Sequence, residues 1–324
     1  MKAPHKEGRL GFLFLGGAKR VAMAGLLRKA CEARGLECEI YGYELDSHCP
    51  LASVGTVYEG LRWSDPAIFG HLDEICERHG IDVVLPFVDG AVGIAAEFVA
   101  RHSSTGVLCP VSERSRVDAM FDKVASAELF ARLGLPIPAT YREGAPCGKL
   151  IAKPRFGSAS KGIIEIDSLS QFYQLRGKLD RYLVQERIDN REEITVDCYV
   201  DCLDGHVSAC SARLRDEVSG GEVVRTETID DPDVAALARR TLAATGLRGA
   251  VTVQIIRDLD TDRLLIMEIN PRLGGGAVAS VYAGADIPAM IVANALGEKS
   301  GVATATPGVE TVRYLADVVF YPEK

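Results

Sequence analysis

A chain of 324 residues, 47% hydrophobic and 25% charged, is long enough for two or three domains with ample core. Its formal net charge of −8 argues against a nucleic acid or an anionic membrane surface as partner, so any bound anion must be held by a few local cations. Nine cysteines, an odd number without zinc-finger spacing, read as free thiols of a reducing cytoplasm, and no run approaches the roughly 18 apolar residues of a membrane span.

The apolar run 10–15 follows charged residues, but it lacks a small-residue cleavage site and continues into a βα unit. It therefore reads as a buried strand and not as a signal peptide. Gly16 to Arg20 is a tight turn that could cradle a phosphate at a helix N-terminus, and residues 21–34 have helical spacing. Residues 37–43 form a second strand, and a helix around 66–79 leads to a third at 81–86. Strands alternating with helices across short glycine turns predict a doubly wound parallel sheet. The dinucleotide fingerprint G-x-G-x-x-G is absent, as is the loop G-x-x-x-x-G-K-[ST]. Asp46 and Asp89 follow strands, where such sheets open their ligand crevices; each is either a substrate contact or, more commonly, a turn aspartate.

Residues 115–133 read as one helix, with Val117, Met120, Phe121, Val124, Phe130 and Leu133 on a stripe and Gly134 as its stop. Lys123 on this helix is, alone, a solvated lysine. A strand at 149–154 carries Lys153 among apolar residues, where an ammonium needs an anionic partner. The following loop, with Gly157, Ser158, Ser160 and Gly162, lets backbone N–H groups approach a phosphate closely. A hairpin would need only a two-residue turn, so this longer loop reads as a lid. A return strand at 163–166, a helix at about 168–179 and a strand at 182–186 complete a small α+β unit. Glu186 and Ile188 then precede Glu193 at the head of another strand-like run. A strand at 208–215 sets Arg213 and Arg215 on one face, either as surface charge or as a site for phosphate or acyl phosphate. A hydrophilic stretch at 216–228 and a helix at 233–245 follow.

Two arms rich in β-branched and long apolar residues, 251–258 and 264–272, flank the turn sequence Asp258-Leu-Asp-Thr-Asp262. A hairpin folded about Thr261 sets Gln254 opposite Glu268, and alternation projects Glu268, Asn270 and Arg272 the same way. One face then carries a carboxylate, two amide oxygens and a guanidinium. Oxygen ligands of this kind suit Mg²⁺ shared with substrate phosphates. The competing reading is the solvated edge of an amphipathic hairpin; Glu268 inside the run Leu-Leu-Ile-Met-Glu-Ile weighs against it, because an unpaired buried carboxylate is costly. Gly274 to Gly276 permit a backbone nest for a carboxylate or phosphate, and a helix around 287–296 and a strand at 312–320 close the chain.

The spacing Gln254…Glu268-x-Asn270-Pro-Arg272, with Lys123, Lys153, the glycine loop and the acids Glu186 and Glu193 ahead of it in that order, resembles the ATP-grasp superfamily, in particular its carbamoyl-phosphate-synthase-like carboxylate–amine ligase branch. The resemblance spans about residues 10–320 and rests on the ordered set, each part being weak alone. It implies an ATP-grasp fold, α/β with an α+β lid, behind an N-terminal doubly wound parallel-sheet domain. The implied divisions are an N-terminal domain at 1–114, a linker helix and lid at 115–188 and a catalytic subdomain at 189–324. The resemblance assigns ATP to Lys123, Lys153, Gly157, Ser158, Ser160, Gly162, Glu186, Ile188 and Glu193. It gives Mg²⁺, with Mn²⁺ as the alternative ion, to Gln254, Glu268 and Asn270, and catalytic roles to Arg272, Lys153 and Arg213. One departure is Arg191, where the family often has a glycine; with Glu192 adjacent, the ribose contact is Glu193 or its neighbour.

The implied activity activates a carboxylate as an acyl phosphate, releases ADP, and lets an amine displace phosphate to form an amide. The expected partners are small-molecule carboxylates and amines, amino acids foremost, with no nucleic acid, no membrane, a homodimer as the candidate assembly and a cytoplasmic location. Three rivals stand beside this reading: an ATP-grasp carboxylase or carbamate-phosphorylating enzyme, a nicotinamide-dependent oxidoreductase, and a non-catalytic nucleotide sensor.

Overall fold

The computed structural model describes residues 8–101, 106–141, 148–157 and 161–321. The first sheet is built from β1 (Arg9–Leu15), β2 (Glu37–Glu44), β3 (Thr56–Glu59) and β4 (Val83–Pro86), interleaved with helices α1 (Val21–Glu32), α2 (Ile68–His79) and α3 (Asp89–Arg101). Its order is β3-β2-β1-β4, with every pairing parallel. β1 is a continuous apolar run because both faces are covered. Leu13 and Leu15 pack with α2 and α3, while Phe12 and Phe14 pack with α1 on the other face. β3 has no counterpart in the sequence reading; four residues with polar ends give too short a pattern.

The helix expected at 115–133 is two helices, α4 (Arg114–Phe121) and α5 (Lys123–Arg132). The break is Asp122, in extended conformation (φ −92, ψ 101), whose carboxylate caps α5 by accepting from the Val124 and Ala125 N–H groups. Arg155 forks onto the same carboxylate at 2.9 and 2.6 Å, tying the break to the lid unit. The apolar stripe runs through this corner, since packing periodicity resumes on its far side, and it hides a capping aspartate. That unit is the antiparallel sheet of β5 (Leu150–Pro154), β6 (Ile164–Ile166) and β7 (Tyr182–Glu186), ordered β6-β5-β7, with α6 (Leu169–Leu175) across it. Its core is Leu150, Ala152, Ile166, Phe172 and Val184.

The remaining residues form one large antiparallel sheet. Its strands are β8 (Arg191–Val200), β9 (Val207–Leu214), β10 (Glu217–Ser219), β11 (Glu222–Ile229), then, after α7 (Pro232–Thr245), β12 (Gly249–Asp258) and β13 (Leu264–Asn270). The helices α8 (Ala277–Tyr282) and α9 (Ile287–Ala295) precede a last short strand, β14 (Glu310–Val312), paired to β11. The β12–β13 hairpin has the expected register at its open end, with Thr252 opposite Asn270 and Gln254 opposite Glu268. A bulge after Gln254 shifts the pairing by one residue nearer the turn. The hydrophilic stretch after Arg215 contains the hairpin β10–β11, and the strand expected at 312–320 reduces to β14, with no regular structure from Arg313 to Tyr321. α9 lies against α1: Ile287, Met290 and Ile291 share a core cluster with Leu27 of that helix and with Phe12 and Phe14 beneath it. No helix among the described residues is long and apolar enough to cross a membrane.

Candidate functional site

A cleft opens between the lid sheet and the large sheet. β5 brings Lys153 into it, with the ammonium Nζ donating to Gln185 Oε1 at 3.1 Å. Burial pulls this lysine down to about 8; the Glu268 carboxylate opposes the shift, and the cations Lys123 and Arg191 reinforce it. Lys123, as the first residue of α5, reaches across to the Gly157 carbonyl at 2.5 Å. Gly157 sits at φ 117 and Gly162 at φ 74, backbone states that side chains with a Cβ rarely adopt, and Gly157 lines the cleft. Ser158 and Ser160 lie outside the described residues.

At the hinge between the lid sheet and the large sheet, where β7 ends, the Glu186 carboxylate accepts from the Ala139 N–H at 2.9 Å and from the Arg263 fork at 3.1 and 3.0 Å. Its side chain is therefore bound, and what the hinge offers a ligand is its backbone. Ile188 is buried with Ile256, Leu265 and Met267, an apolar floor. Glu193 lines the cleft, 3.1 Å from Arg191 and 3.6 Å from Arg215. Its neighbour Glu192 points to the opposite face, toward Arg257 at 3.9 Å, so strand alternation leaves Glu193 as the one of the pair that faces the cleft. Arg191 donates to the Ile188 carbonyl at 2.8 Å and occupies space a glycine would leave open.

A second cavity adjoins the cleft, and Gln254, Glu268 and Arg215 line both. Asn270 Nδ2 donates to Glu268 Oε1 at 2.8 Å, and the nearby Thr195 hydroxyl is buried without a partner. One carboxylate and two amides at the shared wall are a donor set that fits a hard divalent cation with oxygen ligands. Another acidic group, Asp201 with Asp204 and His206, is spent internally: Asp201 holds Asn294 and Ser300, and Asp204 holds Lys299 and the His206 N–H.

The second cavity is rich in arginine. Arg272 is tied to Asp89 of α3 at 2.7 and 2.6 Å, so Asp89 anchors a guanidinium across the two halves of the chain. Arg213 reaches the wall but is 2% exposed, with Nε 2.7 Å from Asp197. Ser280 donates to the same Asp197 carboxylate, and a Cβ at Gly276 would lie 2.7 Å from the Arg213 guanidinium carbon. Of the two readings of Arg213 and Arg215, plain surface charge does not fit Arg213: both line this cavity, Arg213 in a buried ion pair with Asp197 and Arg215 leaning on Glu193. Sequence reasoning missed Arg20 and Arg313. Arg20 lies 3.5 Å from Glu222, and burial lowers it, as do the nearby Arg313 and Arg272. Arg313 pairs with Glu222 at 2.9 Å and donates to the Gly275 carbonyl, so the glycine stretch carries a bound carbonyl besides its N–H groups. A glycine turn and an isolated arginine carry no signal that they converge.

Residues 178–318 match the family described as ATP-grasp in the biosynthetic pathway with Ter operon. They include Glu186, Glu193, Gln254, Glu268, Asn270 and Arg272 but not Lys123 or Lys153. A protein of Legionella pneumophila named "Probable alpha-L-glutamate ligase" is 26% identical over 262 residues, covering 74% of this chain and 82% of that protein. Among solved structures, N5-carboxyaminoimidazole synthetase from Staphylococcus aureus superposes with TM-score 0.71 at 13% identity, covering 95% of this chain and 82% of that one. L-amino acid ligase from Bacillus licheniformis gives TM-score 0.67 at 14% identity, covering 90% and 75%. Residues 178–318 are thus similar to an ATP-grasp family, and the three-sheet architecture is the fold shared with these solved structures.

Proposed function

We infer that the protein is an ATP-dependent carboxylate–amine ligase that makes an amide through an acyl phosphate and releases ADP and phosphate. The observation that carries the reading is the shared wall: Gln254 and Glu268 line both the Lys153 cleft and an arginine-lined cavity, so two anions can meet there. The nearby names agree in kind, a glutamate ligase and an L-amino acid ligase.

In this reading ATP lies in the cleft. Its adenine rests on Ile188 and bonds the hinge backbone near Glu186, and its ribose hydroxyls donate to Glu193. Its phosphates take Lys153, Lys123 and the N–H groups of the loop from Gly157 to Gly162, including Ser158 and Ser160. Glu268, Asn270 and Gln254 would hold Mg²⁺, or Mn²⁺ in its place, which neutralises phosphate charge when bound. Arg272, oriented by Asp89, presents its planar fork to the γ-phosphate and the substrate carboxylate together. A carboxylate oxygen attacks the γ-phosphorus and ADP departs. The amine nitrogen then attacks the acyl carbon, phosphate leaves with the C–O bond electrons, and the amine gives up its proton. Arg213 acts indirectly, by setting Asp197 and the Gly276 backbone beneath the reacting groups. Amino acids are the leading substrates, 1–114, 115–188 and 189–324 the working divisions, and a homodimer the assembly to look for.

The test is hydroxylamine trapping across a panel of amino acids and small carboxylates with ATP and Mg²⁺. The expected result is hydroxamate and ADP in equal amounts with the right acid. ADP release that requires bicarbonate and yields no hydroxamate would transfer the site to a carboxylase.

A further inference from the structure

A third cavity, ≈ 510 Å³, opens at the carboxyl ends of β1 and β2, within the size range of small-molecule sites. It joins the arginine-lined cavity through Arg20, Val88 and Glu222, which line both. Its wall is aromatic: Tyr43 and Trp63 stack with centroids 5.9 Å apart. The Tyr43 hydroxyl is already engaged by His71 and the Leu61 N–H, so this residue offers only its ring. Trp63 lies over Gly90, where a Cβ would come within 2.7 Å of the indole, and Gly90 follows Asp89, the anchor of Arg272. The floor holds Glu44. The Gly17 and Ala18 N–H groups bond its carboxylate, yet Oε1 is buried with no hydrogen-bond partner. Burial pushes this carboxyl up to about 7, against the two backbone hydrogen bonds that pull it down.

We propose that this cavity takes the amine co-substrate, held as an ammonium on Glu44 with an apolar body against Tyr43 and Trp63. The carboxylates of Glu44 and Asp46 and the indole of Trp63 line the same cavity, and against the cations Lys19 and Arg20 on that lining they favour an ammonium, by charge and by cation–π attraction. The apolar walls at Leu61 and Val88 select a hydrocarbon body. The two cavities adjoin at Arg20, Val88 and Glu222, so this pocket borders the one that contains the acid–amide wall. The inference rests on the ligase reading for the amine's fate, and on the cavity alone for its binding.

The experiment is calorimetry on the full chain with phenethylamine, ethylamine and 3-phenylpropionate. Phenethylamine should bind at least about tenfold more tightly than either of the others, since only it offers both cation and apolar body. Glu44→Gln should erase its advantage over 3-phenylpropionate, and Trp63→Leu should weaken phenethylamine about tenfold while keeping its preference over the anion. Each variant's thermal unfolding is checked first, and the second variant keeps the test open if one fails to fold. Equal binding of the anion, no effect of either substitution, or no binding of phenethylamine to the wild type would overturn the proposal. Hydroxamate formation on the same preparation reports on the ligase reading separately. Amine binding without hydroxamate would leave the pocket standing and remove the ligase.

Discussion

Two side chains carry most of the electrostatic argument. Glu268 is the one carboxylate in the donor set at the wall between the cleft and the second cavity, and Asn270 already leans on it at 2.8 Å. Glu268→Gln keeps the shape and removes the charge, so kcat should fall by about 10²–10³, the usual loss for one preorganised electrostatic partner, with the fold unchanged. A purified variant retaining more than about a tenth of wild-type ADP release would remove Glu268 from the metal site. Lys153 gives a pH signature. Its ammonium is lowered from 10.5 to about 8 by burial, so in the nucleotide-free protein the charge is lost as pH rises through that value. ATP affinity should therefore fall between pH 7 and 9, with proton uptake on binding near pH 8, and Lys153→Arg should flatten both. For folding the sign is opposite. Between about 8 and 10.5 the unfolded chain holds the extra proton, so stability gains with pH across that window. Calorimetry in two buffers of different ionisation enthalpy measures the uptake; affinity independent of pH would mean Lys153 does not meet the phosphates.

At the scale of an element, the break between α4 and α5 places Lys123. Had one helix run through residue 122, Lys123 would lie mid-helix; as built, it opens α5, and its N–H donates to the Arg155 carbonyl at 3.0 Å. Asp122 holds the corner twice, as a cap and as the partner of Arg155. Asp122→Ala should cost about 1 kcal/mol from the cap, with a smaller share from the partly exposed ion pair. It should also raise the KM for ATP by loosening Lys123 against the lid. Urea denaturation and steady-state kinetics check the two effects. A loss of stability with an unchanged KM would make the corner purely structural. The β12–β13 hairpin shows the converse case, since its bulge falls on the turn side of Gln254 and leaves the acid–amide register intact.

For the molecule as a whole, the first sheet does not close its own core. Phe12 and Phe14 are fully buried, and residues of α9, from the other end of the chain, share their cluster. Residues 1–114 expressed alone should leave that face open. The expected behaviour is strong dye binding to exposed apolar surface and self-association on gel filtration. A monomeric fragment with a sharp thermal transition would show that the sheet is an independent unit. The Arg272–Asp89 pair also joins the two ends of the chain, so the seating of the first sheet and the aim of the Arg272 guanidinium are one packing problem.

The sequence by itself determined what depends on near neighbours. Apolar runs gave β1, β4, β5, β12 and β13, and 3.6-residue spacing gave α1, α2, α7 and α9. A turn of known length then paired Gln254 with Glu268, because register in a tight hairpin is local arithmetic. Short or polar strands such as β3, β10 and β11 stayed hidden, since their pairing is set by partners and not by their own pattern. Only the tertiary structure decided the fate of charge. Arg213 and Arg215 read as twins on one strand face, yet Asp197 takes the first into a buried pair while the second stays at the cleft. Arg20, Asp89 and Arg313 come from three distant stretches with no motif among them. Their meeting around Arg272 and Glu222 is made by long-range contacts that no local window of residues encodes.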